Sequence, residues 1–348
     1  MDDSLLLDSS DEENSSYDSD GNSYESDFDD SQSDSESDSS DNLSNARDWC
    51  KISKNDVLQP PPPPRFPFTG SPGLKEHIQN AADPMEYFNI FFSDDIVEHI
   101  ACETNRYAKD YLHDVTLKPH SRANKWKPTS PEEIRVLLAI FIIQSIVQKP
   151  KESLFWTRRT SIETPFFRNV IPQKRYYLLT KFLHFVNNDA SSEEFPEPKL
   201  KKIWPIFEHL GKKFSTAYIP DRDISIDESL MKFRGRLSWF QFIPTKRARF
   251  GIKFFLLSES ASGYVWKLTV YVGKTTLFDE EFKDRNLATK SVLTLIKPLL
   301  NQGYCLITDN FYTSPELFEE LINHKTDAYG TLPEFRNFFS RELQTSAS

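Results

Sequence analysis

Two periodicities of apolar residues divide the chain. Between residues 83 and 215, apolar side chains recur at the three- and four-residue spacing of amphipathic helices. After residue 220 the spacing changes to the two-residue alternation of β-strands, as along Tyr264, Trp266 and Leu268. The pattern predicts a helical region followed by an α/β region.

The helical region contains two recognisable helix starts. Ser130 precedes Pro131 and stands three residues before Glu133, which predicts a capping box and a helix over residues 130–147. A second helix is predicted after Pro172, and its apolar stripe marks a core face. The stripe consists of Tyr176, Leu179, Phe182, Leu183 and Val186. The basic residues beside it are interpreted first as a solvated face and second as DNA contacts: Lys174, Arg175 and Lys181. Residues 189–198 are predicted to form a loop.

The second region alternates strands and helices in a mixed α/β order. Strands are predicted at residues 224–227, 251–257 and 264–272, followed by a helix through Leu299 that Pro298 kinks. An apolar run at residues 304–307 predicts a strand covered on both faces, and Ser314 caps a helix reaching about residue 324. A last strand ends near Thr331. This order favours antiparallel hairpins first and crossover connections afterwards.

The charge of the chain is unevenly distributed. Residues 1–50 contain 17 acidic residues and one basic residue, which leaves 41 basic and 35 acidic residues in the remainder. Residues 9–41 alternate serine with acids and offer little to bury, so we expect a disordered acidic tail. Residues 60–64 are five prolines, which predict a stiff spacer, although such a run is also a ligand type for aromatic grooves.

Several classes of protein are excluded. The longest apolar run, residues 136–147, falls short of the roughly 20 residues that cross a bilayer, and Asp2 and Asp3 do not suit a signal peptide. The three cysteines have no zinc or disulfide spacing, which favours a reducing compartment. Residues 273–275 imitate a phosphate-binding loop, but position 268 is leucine where that motif needs glycine.

Two aspartates follow apolar stretches of predicted strands. If the strands before Asp227 and Asp309 are neighbours, roughly 5 Å apart, both carboxylates project into one crevice at the carboxyl edge of the sheet. Two such carboxylates suit Mg²⁺ or Mn²⁺, which prefer oxygen ligands and are often shared with a phosphate. The alternative is that each aspartate only closes a turn or caps the following segment.

Five sequence strings resemble the piggyBac transposase family and the piggyBac transposable element-derived proteins. They read ISIDESLMKFRGR at residues 224–236, TDNFYTS at 308–314, GIK at 251–253, ETNRYA at 103–108 and FLHF at 182–185. The resemblance covers residues 83–332.

The resemblance implies a ribonuclease-H-like core behind a helical dimerisation and DNA-binding region. These parts would occupy residues 216–348 and 66–215, after a tail and linker at residues 1–65. Asp227 and Asp309 would be the first two acids of an Asp-Asp-Asp site, bridging Mg²⁺ or Mn²⁺ for DNA cleavage and joining. The family acts at transposon ends and TTAA targets, which implies double-stranded DNA as partner, a homodimer and a nuclear location.

The end of the sequence departs from the family pattern. The third acid of the family belongs on a helix beyond an insertion, whereas this sequence stops at Ser348. Glu334 or Glu342 would have to replace it. The cysteine-rich zinc domain that members of the family can carry at the C-terminus is missing too. We therefore expect an incomplete ribonuclease-H-like mixed sheet, without its final core helix and insertion, and weak or absent strand transfer.

Basic residues surround the first acid and alternate with aromatic residues. They are Arg234, Arg236, Lys246, Arg247, Arg249 and Lys253, with Phe233, Trp239, Phe240 and Phe242 among them. The resemblance favours a DNA-backbone contact over an ordinary solvated charge run. Three functions stay open: a transposase-like DNA-processing protein, a noncatalytic DNA or chromatin binder derived from a transposase, and an interaction protein that uses its acidic and proline segments.

Overall fold

The helical region consists of six α-helices. A computed structural model describes residues 66–233, 235–244 and 249–331. The helices of this region are α1 (Pro84–Phe91), α2 (Asp94–Asp114), α3 (Pro131–Ile146), α4 (Pro165–Val170), α5 (Gln173–Phe182) and α6 (Trp204–Ala217). The acidic tail, the polyproline run and the last 17 residues, with the predictions made for them, lie outside the described residues. No described helix has the length and apolar character needed to cross a membrane.

The predicted start of α3 is confirmed, with one correction. Ser130 Oγ accepts a hydrogen bond from the Glu133 amide, as an N-cap does. The Glu133 carboxylate does not complete a capping box, because it accepts instead from the Thr129 hydroxyl and from the Arg175 guanidinium. The N-terminus of α3 is therefore tied to α5 as well as capped locally.

The stripe of α5 packs as expected, but one of its basic residues does not face solvent. Tyr176, Leu179 and Phe182 are buried. Arg175 leaves only 18% of its side chain exposed, pairs with Glu133 and donates to the Lys127 carbonyl. The interpretation of Arg175 as a solvated or DNA-contacting residue is therefore wrong in this structure, since its guanidinium is used within the protein.

Within its described residues, the α/β region contains one mixed sheet of six strands. The strands are β3 (Asp223–Lys232), β4 (Gln241–Phe242), β5 (Phe250–Glu259), β6 (Val265–Val270), β7 (Cys305–Thr308) and β8 (Asp327–Gly330). Their order is β4-β5-β3-β7-β8, with β6 also paired to β5. β3 is antiparallel to β5 and parallel to β7, which is parallel to β8. Hairpins thus come first and crossovers follow, as predicted. The short β1 (Gly73–Leu74) and β2 (Tyr218–Ile219) form a separate ribbon.

Two helices cover one face of this sheet. They are α7 (Leu287–Ile296), which continues as a 3-10 turn at Lys297–Leu299 that contains Pro298, and α8 (Pro315–Asn323), capped by Ser314. Ile224, Ile226 and Leu306 face these helices in the largest core cluster. On the opposite face, α6 and residues 198–203 pack beside β5 and β6.

The opposite face is open near the carboxyl ends of β7 and β8 within the described chain, although Cys305 at the start of β7 is buried. Ile307 is 41% exposed and Tyr329 is 49% exposed. The expectation that the strand at residues 304–307 is covered on both faces is therefore wrong for Ile307. The open face is also the face on which Asp227 leaves β3, because Asp227 is one residue out of phase with the buried Ile226.

Candidate metal and nucleic-acid site

The pairing of β3 with β7 places Asp227 next to Asp309. In this parallel pair Ile226 lies opposite Thr308, so the residue that follows each of them leaves the paired segment at the same edge. The adjacency expected from the sequence is confirmed in this respect. One detail differs, because β3 continues to Lys232 and Asp227 therefore lies within a long strand rather than at its end. It marks the end of the parallel pairing instead.

Local hydrogen bonds orient both aspartates. Asp227 is exposed, and its Oδ1 accepts a 2.7 Å hydrogen bond from the amide of Glu228. Asp309 Oδ1 accepts from the amide of Phe311 at 3.0 Å, and the Asp309 carbonyl accepts from the Thr313 amide and hydroxyl. Asp309 therefore closes a turn, as the alternative interpretation held, and also presents its carboxylate beside Asp227.

A third carboxylate joins the pair. Asp227, Glu228 and Asp309 each offer an oxygen, and these oxygens lie within 4.8 Å of one another. Within the described residues this is the one group of three or more acidic, histidine or cysteine side chains close enough to hold a metal ion. Glu228 is not among the site residues predicted from the sequence, and strand alternation normally directs adjacent side chains to opposite faces.

A buried tyrosine faces the three carboxylates. Tyr312 is fully buried, and its pKa is raised by burial first and then by the negative charges of Glu228, Asp309 and Asp227. The TDNFYTS string contains this tyrosine, which follows the turn at Asp309 and lies in the largest core cluster just before α8 begins. The sequence showed the string but gave no sign of the role of Tyr312.

The donor set fits a hard divalent cation. All three candidate ligands are carboxylate oxygens, which Mg²⁺ and Mn²⁺ prefer. An octahedral Mg²⁺ with ligands at about 2.1 Å places neighbouring ligands about 3.0 Å apart and opposite ligands about 4.2 Å apart. The observed span of up to 4.8 Å is therefore close to what one ion requires.

The expected DNA-binding residues are only partly described. Arg236 and Arg249 are exposed on the segments that flank β4. Lys253 lies on β5, with its ammonium 5.0 Å from the centroids of both Phe255 and Phe311 and 5.9 Å from that of Tyr271. It is therefore packed on aromatic rings, one of which follows Asp309 by two residues. Arg234, Lys246 and Arg247 lie outside the described residues, as do Glu334 and Glu342.

The aromatic residues of this segment are mostly structural. Trp239 is buried and, with Phe233, packs in the cluster beside α6. Phe240 and Phe242 both contact the ring of Phe250, and Phe242 is 43% exposed. Of the interleaved aromatic residues, Phe242 thus has the most surface for a base or sugar to stack on, and Trp239 has little.

Comparison with known protein families shows to which family this chain belongs. The family model described as transposase IS4 matches residues 83–348, which is more than half of the 348-residue chain. The chain belongs to this family. The match extends to the last residue, so the expectation that the resemblance ends near Leu332 is wrong. The expected relationship to piggyBac transposases is confirmed by the relatives and the structure described next.

Curated relatives are piggyBac transposable element-derived proteins of Homo sapiens. Protein 2 is 23% identical over 271 residues, which cover 76% of this chain and 42% of that relative. Protein 3 is 25% identical over 287 residues, covering 81% and 44%, and protein 5 is 22% identical over 276 residues, covering 76% and 49%. The chain thus spans less than half the length of these relatives.

A solved structure shares the fold. The piggyBac transposase in a synaptic complex with hairpin DNA, determined by cryo-electron microscopy, matches with a TM-score of 0.69 at 22% identity. The match covers 80% of this chain and 57% of that chain. The predicted ribonuclease-H-like α/β class is therefore confirmed.

Proposed function

We propose that this chain is a transposase-like protein of the piggyBac type that binds double-stranded DNA and presents Mg²⁺ or Mn²⁺ to its phosphate backbone. The observation that carries the proposal is the β3–β7 register, which sets Asp227 and Asp309 side by side where the parallel pairing of these strands ends. DNA as the partner is supported by the structural relative, a transposase determined with hairpin DNA.

Different side chains bind the cation and the DNA phosphates. Asp227 and Asp309 are the cation ligands, and the amides of Glu228 and Phe311 hold their carboxylates in place. Arg236 and Arg249 are exposed, so they are available to bind phosphates of the DNA backbone. When bound, the cation helps to activate a water or a DNA 3′-hydroxyl and stabilises charge on the phosphate under attack.

The helical region and the α/β region have separate roles. The helices within residues 66–215 serve dimerisation and DNA binding, and residues 216–348 form the core that acts on DNA. Transposon ends and TTAA targets are the DNA sites, and the nucleus is the location. These assignments rest on the family relationship rather than on a contact in the structure.

We expect strand transfer to be weak or absent. Efficient phosphoryl transfer in a two-metal site stabilises both the attacking and the leaving oxygen. The described residues supply two aspartates from separate strands, while Glu228 comes from the same strand as Asp227. This observation favours, as a second candidate, a noncatalytic DNA or chromatin binder that has kept the transposase fold.

Two measurements on the full chain separate these functions. Fluorescence anisotropy with a duplex containing TTAA measures binding between about 50 and 200 mM salt, over which phosphate contacts weaken affinity steeply. A 5′-labelled duplex incubated with Mg²⁺ or Mn²⁺ measures cleavage, with Asp227→Asn and Asp309→Asn as site variants and Asp284→Asn, an exposed acid ahead of α7, as the matched control.

The outcomes assign the function. Salt-sensitive binding with cleavage that both site variants abolish supports the transposase-like function. Salt-sensitive binding without cleavage in either metal supports the noncatalytic binder. Failure to bind duplex DNA at about 50 mM salt overturns the proposal and favours an interaction protein.

A further inference from the structure

Glu228 reaches the carboxylate pair from the other side of the sheet. It leaves β3 on the face of Ile226 and of the buried core, whereas Asp227 leaves on the open face. Nevertheless one of its oxygens lies within 4.8 Å of an oxygen of each aspartate. This is sterically feasible because β7 ends at Thr308, so beyond the parallel pairing no described strand separates Glu228 from Asp309.

Tyr312 gives a second, independent observation about the group of three carboxylates. The side chain is 0% exposed, and its hydroxyl forms no contact with full hydrogen-bond geometry among the described residues. The charged groups that act on it are Glu228, Asp309 and Asp227, with Glu228 also placed as an acceptor. A buried hydroxyl whose hydrogen bond is not fully formed costs free energy, and a small movement of the Glu228 carboxylate would complete this one.

We propose that Glu228 is a third carboxylate ligand of the divalent cation and that Tyr312 is the positioning residue that holds it. The inference rests on the proposed function, since it concerns the same cation site. It goes beyond the proposed function because it assigns Glu228 of β3 as a further ligand and the neutral Tyr312 hydroxyl as the hydrogen-bond donor that orients Glu228.

The chemistry of the four groups supports this assignment. Three carboxylates within 4.8 Å repel one another, and a divalent cation relieves the repulsion. A phenolic hydroxyl adds no charge and donates to the carboxylate oxygen that the ion does not use. Hydrogen bonds of this kind fix the orientation of metal ligands, and their removal typically costs about 10- to 100-fold in metal affinity.

The test measures Mn²⁺ binding through the thermal stability of the full chain. The acidic residues of positions 1–50 also attract Mn²⁺, but an ion that binds equally to folded and unfolded chain does not change the melting temperature. The variants are Glu228→Gln and Tyr312→Phe. The matched controls are Asp284→Asn, which removes an exposed acid, and Tyr304→Phe, which removes the hydroxyl of an equally buried tyrosine that donates to the Pro220 carbonyl.

We expect opposite effects with and without the ion. Without Mn²⁺, Glu228→Gln melts at a higher temperature than wild type because a like charge is removed, and Tyr312→Phe melts at the same or a higher temperature. With Mn²⁺, wild type and both controls gain stability. Glu228→Gln loses this gain, and Tyr312→Phe requires roughly 10-fold more Mn²⁺ to reach it.

Three results would overturn the inference, and they are distinguishable from failure of the proposed function. In the first, Asp227→Asn and Asp309→Asn lose the Mn²⁺ response while Glu228→Gln and Tyr312→Phe keep it. That result supports a cation site of two aspartates and shows that Glu228 is not a ligand. If Tyr304→Phe loses the response as Tyr312→Phe does, the hydroxyl effect is structural. If wild type shows no response at all, both the cation site and this inference are wrong.

Discussion

Replacement of Arg175 separates a structural role from a DNA-binding role on α5. Its guanidinium donates from Nε to Glu133 Oε1 at 2.7 Å and makes a second, 2.5 Å contact with Oε2. It also donates to the Lys127 carbonyl at 2.8 Å and lies 4.8 Å from the ring of Trp126. Arg175→Met keeps much of the aliphatic length and removes all of these interactions.

The magnitude follows from the exposure of the pair. A hydrogen bond to a charged group contributes about 1.5 to 3 kcal/mol, and breaking one side of a fully buried pair costs about 3 to 5 kcal/mol. Side-chain exposures of 18% for Arg175 and 28% for Glu133 place this pair between the surface and the interior. We expect Arg175→Met to lower the free energy of unfolding by about 2 to 3 kcal/mol at pH 7.

The loss should depend on pH in a defined direction. Burial alone would raise the pKa of Glu133, but hydrogen bonds from Arg175 and Thr129 outweigh it and lower the pKa below its ordinary value of 4.5. A lowered carboxyl pKa contributes stability that is present above pH 4.5 and is lost as the pH falls through the folded-state pKa. The difference between wild type and Arg175→Met should therefore be full at about pH 7 and shrink below about pH 4.5.

Urea unfolding followed by tryptophan fluorescence measures this difference, since Trp126 lies against Arg175. A double-mutant cycle with Glu133→Gln isolates the coupling between the two side chains. Duplex DNA affinity of Arg175→Met should equal that of wild type under conditions where both are folded. Unchanged stability together with reduced DNA affinity would refute the structural role and restore the interpretation of Arg175 as a DNA contact.

Two further predictions concern the sheet region. Gly303 has φ +74°, and a Cβ there would lie 2.1 Å from the Pro67 carbonyl oxygen. Gly303→Ala should therefore lower the free energy of unfolding, measured in urea, by about 1 to 3 kcal/mol. A loss below about 0.5 kcal/mol would contradict the close approach of Gly303 to Pro67. Arg236→Ala with Arg249→Ala should reduce the slope of log K against log salt by about 1.8, which is about 0.9 for each phosphate that is no longer neutralised. An unchanged slope would exclude both arginines from the DNA interface.

The sequence was informative where local chemistry decides structure. The N-caps Ser130 and Ser314 start their helices as predicted, because a side-chain oxygen that satisfies an end amide acts within one turn of chain. The adjacency of Asp227 and Asp309 was also predictable, because the order of strands and crossovers leaves few ways to arrange a mixed sheet.

The features that the sequence did not predict depend on tertiary contacts. The Arg175–Glu133 pair joins residues 42 positions apart, so the pattern on α5 alone could not distinguish it from a solvated charge. The approach of Glu228 to Asp309 contradicts simple strand alternation and depends on β7 ending at Thr308. The exposure of Ile307 depends on what covers the sheet, about which the apolar run itself carries no information.

Iron-mediated cleavage of the protein backbone tests the central claim most directly. Fe²⁺ that replaces Mg²⁺ in a site generates radicals in the presence of ascorbate and oxygen, and these cut the chain close to the ligands. A cation shared by Asp227 and Asp309 predicts two cuts, near residues 227–228 and near residues 309–312, which excess Mg²⁺ suppresses and either Asp→Asn change removes together. Cuts confined to the acidic residues 1–50, or a cut at one aspartate that survives replacement of the other, would contradict a common ion.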